Sequence, residues 1–182
     1  VTFTPGANNE SVADFAFSLM MALSRNVIKL DSYVRNNNFS KIIGTEVYGK
    51  TLGVIGTGAI GKGVLRRARG FNMRLIGYDL YPDESFAKEV GLTYVDKDTL
   101  IRESDFISLH VPLTKEMHHF ISKKELEMMK KTAYLINTSR GGIVNEEDLY
   151  EALKNKIIAG AALDVFEQEP PKESKLLELE NI

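Results

Sequence analysis

The residues of this chain that could do chemistry fall into short blocks, and the first is Gly56-Thr57-Gly58-Ala59-Ile60-Gly61. The spacing is G-x-G-x-x-G. It follows an apolar run, Leu52 to Ile55, and opens a segment with apolar residues at Ile60, Val64, Leu65 and Ala68. A strand before and a helix after are the context in which the spacing acquires meaning. Gly56 then allows a tight turn, Gly58 removes a side chain where backbone must approach a diphosphate, and Gly61 lets helix and strand pack closely. Free amides at the helix start face an anion, helped by the helix dipole. Asp79 ends the next apolar run, 18 residues after Gly61. An acidic residue at about 20 residues' distance accepts hydrogen bonds from an adenosine ribose. Leu80 and Tyr81 follow, and neither Arg nor Lys occurs before Lys88. A ribose 2′-phosphate would meet a carboxylate without a local cation, so the pattern favours NAD over NADP. A glycine turn beside a surface Asp is the bland alternative, and an S-adenosylmethionine or flavin site on the same fold is another.

Three more blocks each follow an apolar run. His110-Val111-Pro112-Leu113-Thr114 places a proline in a loop that could line a ribose, with His110 read as a strand-end residue. His118 and His119 lie in a polar segment and read as solvated. Asn137-Thr138-Ser139-Arg140-Gly141-Gly142 sets two glycines behind an arginine, a residue suited to bidentate binding of a carboxylate. Asp164-Val165-Phe166-Glu167-Gln168-Glu169-Pro170-Pro171 is acidic. Asp164 could accept from a carboxamide, and Glu169 is constrained by the proline after it.

Positioning these blocks requires alternating strands and helices. Thr51–Ile55, Met73–Tyr78, Leu92–Val95, Phe106–Val111, Ala133–Asn137 and Ile158–Val165 read as strands, several of them apolar without alternation. That is the signature of strands buried on both faces of a parallel sheet. Ala59–Gly70, Glu84–Val90, Lys97–Glu103, Lys123–Met129 and Glu146–Lys154 read as the helices between them. The expected fold is α/β, a doubly wound parallel sheet of the Rossmann type. An earlier helix, Glu10 to Ser24, is capped by Asn8 or Asn9 and apolar around most of its circumference. Either the sheet or a second subunit must bury it. Arg35 to Gly49 reads as an irregular arm.

Composition sets the outer bounds. The 182 residues suffice for one domain with a real core. With 23 basic and 25 acidic residues the net charge is −2, which argues against a nucleic-acid partner. There is no Cys, hence no disulfide, thiolate metal site or cysteine nucleophile, in keeping with a reducing, cytoplasmic compartment. The most apolar stretch, Phe15 to Leu23, is far short of the roughly 20 residues of a membrane span.

Together the blocks resemble the NAD-binding domain of the D-isomer-specific 2-hydroxyacid dehydrogenases, a family that includes phosphoglycerate dehydrogenases. The resemblance runs through Thr4-Pro5-Gly6-Ala7-Asn8 and Ser11-Val12-Ala13-Asp14, Gly49-Lys50-Thr51-Leu52-Gly53, His110 to Thr114, Asn137 to Val144, and Ala162 to Pro171. It implies that Arg140 holds a substrate carboxylate and keto oxygen, and that Glu169 orients and polarises a catalytic histidine. It implies pyrophosphate contacts from Ala59 and Ile60, a ribose contact from Asp79, and further cofactor contacts from Val111, Thr138 and Asp164, with His110, Pro112 and Ser139 in the same loops. The family's histidine belongs to a Thr-Pro-His-like segment beyond the Glu169 block, and no histidine here matches it. The family's substrate domain comes from both chain ends. The expectation is therefore the nucleotide domain of a longer enzyme over residues 1–182, with a linker and interface helix in 1–24 and the core in 50–169. Its expected ligands are NAD and a small 2-hydroxy or 2-keto acid, with homodimerisation through this domain, no nucleic acid and no membrane. An NAD-sensing corepressor module is the second reading.

Overall fold

The computed structural model describes residues 6–182; Thr4-Pro5 and the first residues of the expected linker lie outside the described residues. Helices α1 (Asn9–Ser24) and α2 (Val27–Arg35) come first. Strand β1 (Thr51–Ile55) then alternates with α3 (Ala59–Arg69), β2 (Arg74–Tyr78), α4 (Glu84–Val90), β3 (Leu92–Tyr94), α5 (Lys97–Glu103), β4 (Phe106–Leu109), α6 (Lys123–Met128), β5 (Tyr134–Asn137), α7 (Glu146–Lys154) and β6 (Gly160–Leu163). The sheet has six strands in the order β3-β2-β1-β4-β5-β6, and every pairing is parallel. The order reverses between β1 and β4, so this Rossmann-type α/β sheet opens a crevice beyond their carboxyl ends.

The strands alternate between two apolar clusters, one on each face. Leu52, Val54, Leu75, Phe106 and Ile136 pack with α1, α3 and α4. Ile55, Ile76, Ile107, Leu109 and Leu135 pack with α5, α6 and α7. Both faces are covered, which is why the strands carry continuous apolar runs rather than alternation. Helix α1 lies on α3, with Ala13, Ala16 and Met20 buried between them and the sheet. Small residues permit this crossing, because a Cβ on Gly63 would come within 2.8 Å of the Ala13 Cβ. Arg67 of α3 clamps the pair from outside, donating from Nε to Asp14 Oδ1 at 2.7 Å and from Nη1 to Glu10 Oε2 at 2.9 Å. Of the two partners the all-round apolar α1 could have had, the chain itself therefore supplies most; Phe15 keeps 44% of its surface exposed.

Helix α2 has no counterpart among the expected elements. It is short, has no buried residue, and is set off from α1 by Asn26 in the left-handed region (φ 54°); Val27, Leu30 and Val34 fall at helical spacing, but over only 9 residues. The irregular arm follows it. Strand β4 ends at Leu109 rather than Val111, since Pro112 has no amide to extend a ladder. Strand β6 starts at Gly160 rather than Ile158, because the amide of Ile157 is drawn to Ala152 O at 2.8 Å in closing α7. No helix among the described residues is long and apolar enough to cross a membrane. Leu65, fully buried where α1, α3 and the sheet meet, tests this core. Leu65→Ala should lower unfolding free energy by about 2–5 kcal/mol in urea titrations, whereas Ile43→Ala on the exposed arm should change it by less than about 0.5 kcal/mol.

Candidate functional site

The glycine loop sits at the reversal point. Gly56 takes φ +89°, and a Cβ there would strike the carbonyl of His110 and the side chain of Val111. The loop after β1 thus lies directly against the loop after β4. A Cβ on Gly61 would collide with the carbonyl of Gly56, so the start of α3 is drawn tight onto the turn. Gly58 is different: a Cβ there would meet nothing within 4 Å. It is the exposed N-cap of α3, and it faces space rather than protein.

The helix starts differ in chemistry. Asp83 caps α4, Asp96 caps α5, a Ser122–Glu125 capping box closes α6, and Asn145 caps α7. Helix α3 has no side-chain cap and no acidic residue in its first turn. Its first amides therefore have no acceptor of their own, and an anion beside Gly58 and Ala59 would satisfy them. Ile60, half-buried, packs its side chain against the α1–α3 core, leaving its backbone in that first turn.

Asp79 stands next to this opening. Its Oδ2 accepts from Thr57 N at 2.6 Å and from Thr57 Oγ1 at 2.9 Å, and its Oδ1 accepts from Tyr81 N at 2.9 Å. The expected carboxylate is thus fastened to the glycine loop by the residue between its first two glycines. Sequence spacing did not single out Thr57. Nor did it place a cation near: Lys62, in the first turn of α3, reaches Asp83 Oδ2 at 2.5 Å. Asp83 neutralises it.

The later blocks gather on the same carboxyl edge. His110 donates its backbone amide to Ile55 O at 2.8 Å, and its Nε2 lies 2.8 Å from Ser108 Oγ. Its Nδ1 and the Thr138 hydroxyl are the buried side-chain polar atoms left without a partner among the described residues. Both belong to the edge where the expected cofactor contacts converge. Val111 is half-buried and Pro112 exposed. Asn137 shapes the turn after β5: its Oδ1 accepts from Ser139 N at 3.0 Å and Ser139 Oγ at 2.7 Å, while its Nδ2 donates to Arg140 O at 2.9 Å. The Ser139 hydroxyl is thereby turned inward, and Arg140 projects with an exposed side chain. A Cβ on Gly141 would overlap the backbone of Phe166 and Glu167, so the loops after β5 and β6 touch at main-chain level. Asp164, exposed, donates its amide to Asn137 O at 3.0 Å. Glu169, also exposed, precedes a cis proline and accepts from Phe166 N at 3.1 Å.

His119 departs from the solvated role expected of it. Its Nε2 lies 3.1 Å from Glu167 Oε1 and its Nδ1 lies 3.2 Å from Asn145 Nδ2. Asn145 Oδ1 is occupied by Asp148 N, so the Asn145 amide nitrogen donates, Nδ1 accepts, and Nε2 carries the proton toward Glu167. Glu167 and Glu146 further exchange backbone-to-carboxylate bonds at 3.0 and 2.5 Å. This knot joins the loops after β4, β5 and β6; a lone polar histidine gives no sequence signal for it. A cavity of about 660 Å³ lies at the opposite end of the sheet, beside Lys29, Tyr134 and Ile158. Chemistry rather than cavity size picks out the carboxyl edge.

Known proteins share this sequence pattern and fold. The family described as D-isomer specific 2-hydroxyacid dehydrogenase, NAD binding domain, matches residues 17–182. The chain belongs to this family. Glyoxylate reductase of Korarchaeum cryptofilum is 52% identical over all of this chain, which spans 57% of that protein. D-3-phosphoglycerate dehydrogenase of Methanocaldococcus jannaschii is 44% identical, again over the whole chain, which covers 35% of it. The structure of D-lactate dehydrogenase from Aquifex aeolicus, complexed with NAD and lactic acid, superposes with a TM-score of 0.88 at 41% identity, over 94% of this chain and 52% of that one. NAD is thus the cofactor of this 2-hydroxyacid dehydrogenase domain, and the open Gly58 cradle, the bare α3 terminus and the partnerless Thr138 and His110 atoms fit it.

Burial pushes the His110 imidazole down to about 4. An unfolded histidine takes up its proton near pH 6.5, so the contribution of His110 to stability falls as pH drops from about 6.5 to 4 and levels off below that. Urea titrations of the wild type and His110→Gln should differ in their loss across this window by about 3 kcal/mol at most, the wild type losing more.

Proposed function

We propose that the whole protein is an NAD-dependent oxidoreductase that transfers a hydride reversibly between the cofactor and the CH–OH carbon of a D-2-hydroxy acid, and that this chain is its nucleotide-binding domain. The observation that carries the proposal is the uncapped start of α3 facing open space at Gly58, with the Asp79 carboxylate fastened alongside. Gly56, Gly58, Ala59, Ile60 and Gly61 form the diphosphate cradle. Asp79 accepts from the adenosine ribose. His110, Val111 and Pro112 line the wall from β4, and Thr138, Ser139 and Asp164 line the nicotinamide end.

NAD supplies the hydride acceptor or donor, and this chain contributes Arg140 and Glu169. Arg140, exposed on a turn that Asn137 holds rigid, binds the substrate carboxylate in bidentate fashion and stabilises charge on the reacting oxygen. Glu169 orients a histidine from outside this chain and favours its charged form, so that it can move the hydroxyl proton. The relatives named glyoxylate reductase support a small 2-keto acid as substrate. The chain spans little more than half the length of those relatives.

We also assign self-association to the N-terminal helices. Phe15 of α1, Ile28 and Val34 of α2, and Phe39 and Ile43 of the arm are exposed, and Val34, Phe39 and Ile43 line one groove. The interface is thereby carried by α2 and the arm as well as by α1. Analytical ultracentrifugation should detect a dimer at micromolar concentration, and a monomer would refute the assignment.

Calorimetric titration tests the cofactor site directly. Asp79→Ala should weaken NADH binding by about 10-fold or more, because a charge-assisted hydrogen bond to the ribose is lost. Unchanged affinity would overturn the site.

A further inference from the structure

Tyr94 closes β3, two strands away from the glycine loop, yet its hydroxyl reaches into the corner where Asp79 lies. It sits 2.9 Å from Thr57 Oγ1 and 3.1 Å from Asp83 N. The direction of each bond follows from counting protons. Thr57 has one hydroxyl proton, and it goes to Asp79 Oδ2 at 2.9 Å. Toward Tyr94 the Thr57 oxygen can therefore only accept, so Tyr94 donates. The Tyr94 oxygen in turn accepts from the Asp83 amide. The bonds run one way, from Asp83 N–H through the Tyr94 and Thr57 hydroxyls to the Asp79 carboxylate. In such a chain each donor is polarised by the bond behind it.

The far end of the chain is anchored. Asp83 accepts from Lys62 at Oδ2 and from Phe86 N at Oδ1, the latter at 3.0 Å, so its backbone amide is fixed at the start of α4. The near end is nearly saturated. An ionised carboxylate offers about four acceptor positions. Thr57 N and Thr57 Oγ1 take two on Oδ2, and Tyr81 N takes one on Oδ1. The position left over is on Oδ1. The carboxylate cannot turn without breaking these bonds, so the donors decide which acceptor it presents.

We propose that Tyr94 is a positioning residue for adenosine-ribose recognition: through Thr57 it holds the Asp79 carboxylate so that one Oδ1 acceptor faces the ribose 2′-hydroxyl, and so it helps set selectivity at that hydroxyl. This rests on Asp79 as the ribose acceptor. In this proposal Tyr94 acts through Thr57 and not on the cofactor itself.

The test compares NADH with its 2′-deoxyadenosine analogue by calorimetry on the wild-type chain and on Tyr94→Phe, Thr57→Val and Asp79→Asn. Tyr94→Phe keeps the ring and removes the hydroxyl, both the donor to Thr57 and the acceptor for the Asp83 amide. It should weaken NADH by about 3- to 10-fold, the effect of one lost hydrogen bond, and leave the analogue within about 2-fold. Thr57→Val cuts the same relay at its other end and should show the same selective loss. Equal weakening of both ligands by Tyr94→Phe and Thr57→Val would reduce Tyr94 to a packing residue and overturn the proposal, as would unchanged NADH affinity. Asp79→Asn separates the two levels of the argument. If it weakens both ligands equally, or neither, the ribose assignment of Asp79 itself falls. If it weakens NADH selectively and Tyr94→Phe does not, only the role of Tyr94 falls.

Discussion

A helix that begins without an acceptor for its first amides is the constraint on which the rest of this structure depends. The other crossover helices that carry a cap close their own ends with Asp, Asn or a Ser–Glu pair. Helix α3 begins on Gly58, which has no side chain to offer. Leaving such a terminus bare is stable only where water or an anion completes it. The fold places it at the reversal of strand order, where Gly56 and Gly61 allow three pieces of backbone to converge. The doubly covered sheet below supplies the rigidity that such convergence needs.

Much of this was legible in the sequence because it rests on local rules. The boundaries of β1, α4, α5 and α7 follow from apolar runs and their punctuation. The glycine spacing reports backbone approach directly, since no other residue fits beside the carbonyls of Gly56 and His110. The placement of Asp79 follows from the constant length of a strand–helix–strand unit. The six strands and their parallel order follow from apolar runs covered on both sides.

What escaped the sequence is what only tertiary contact creates. Thr57 occupies a variable position of the glycine motif, and its bonds to Asp79 exist because β2 ends beside it. Tyr94 is remote in sequence from both. Lys62 lies on α3 and meets Asp83 across a turn, so a search along the chain after Asp79 could not find it. His119 looked solvated because its partners, Asn145 and Glu167, lie on other loops. Helix α2 went unread for a different reason: over 9 residues the helical spacing of Val27, Leu30 and Val34 is too short to stand out, and no residue of the helix is buried.

The contact between Gly141 and Phe166 bears on how a two-walled cleft can work. Where two loops meet main chain to main chain, neither can swing by itself. With the His119–Glu167 bond also crossing between them, the wall that bears Arg140 and Glu169 behaves as a single jaw. Under the function proposed above, engagement and release of a bound acid would come from movement of whatever stands opposite, with this side acting as the fixed anvil.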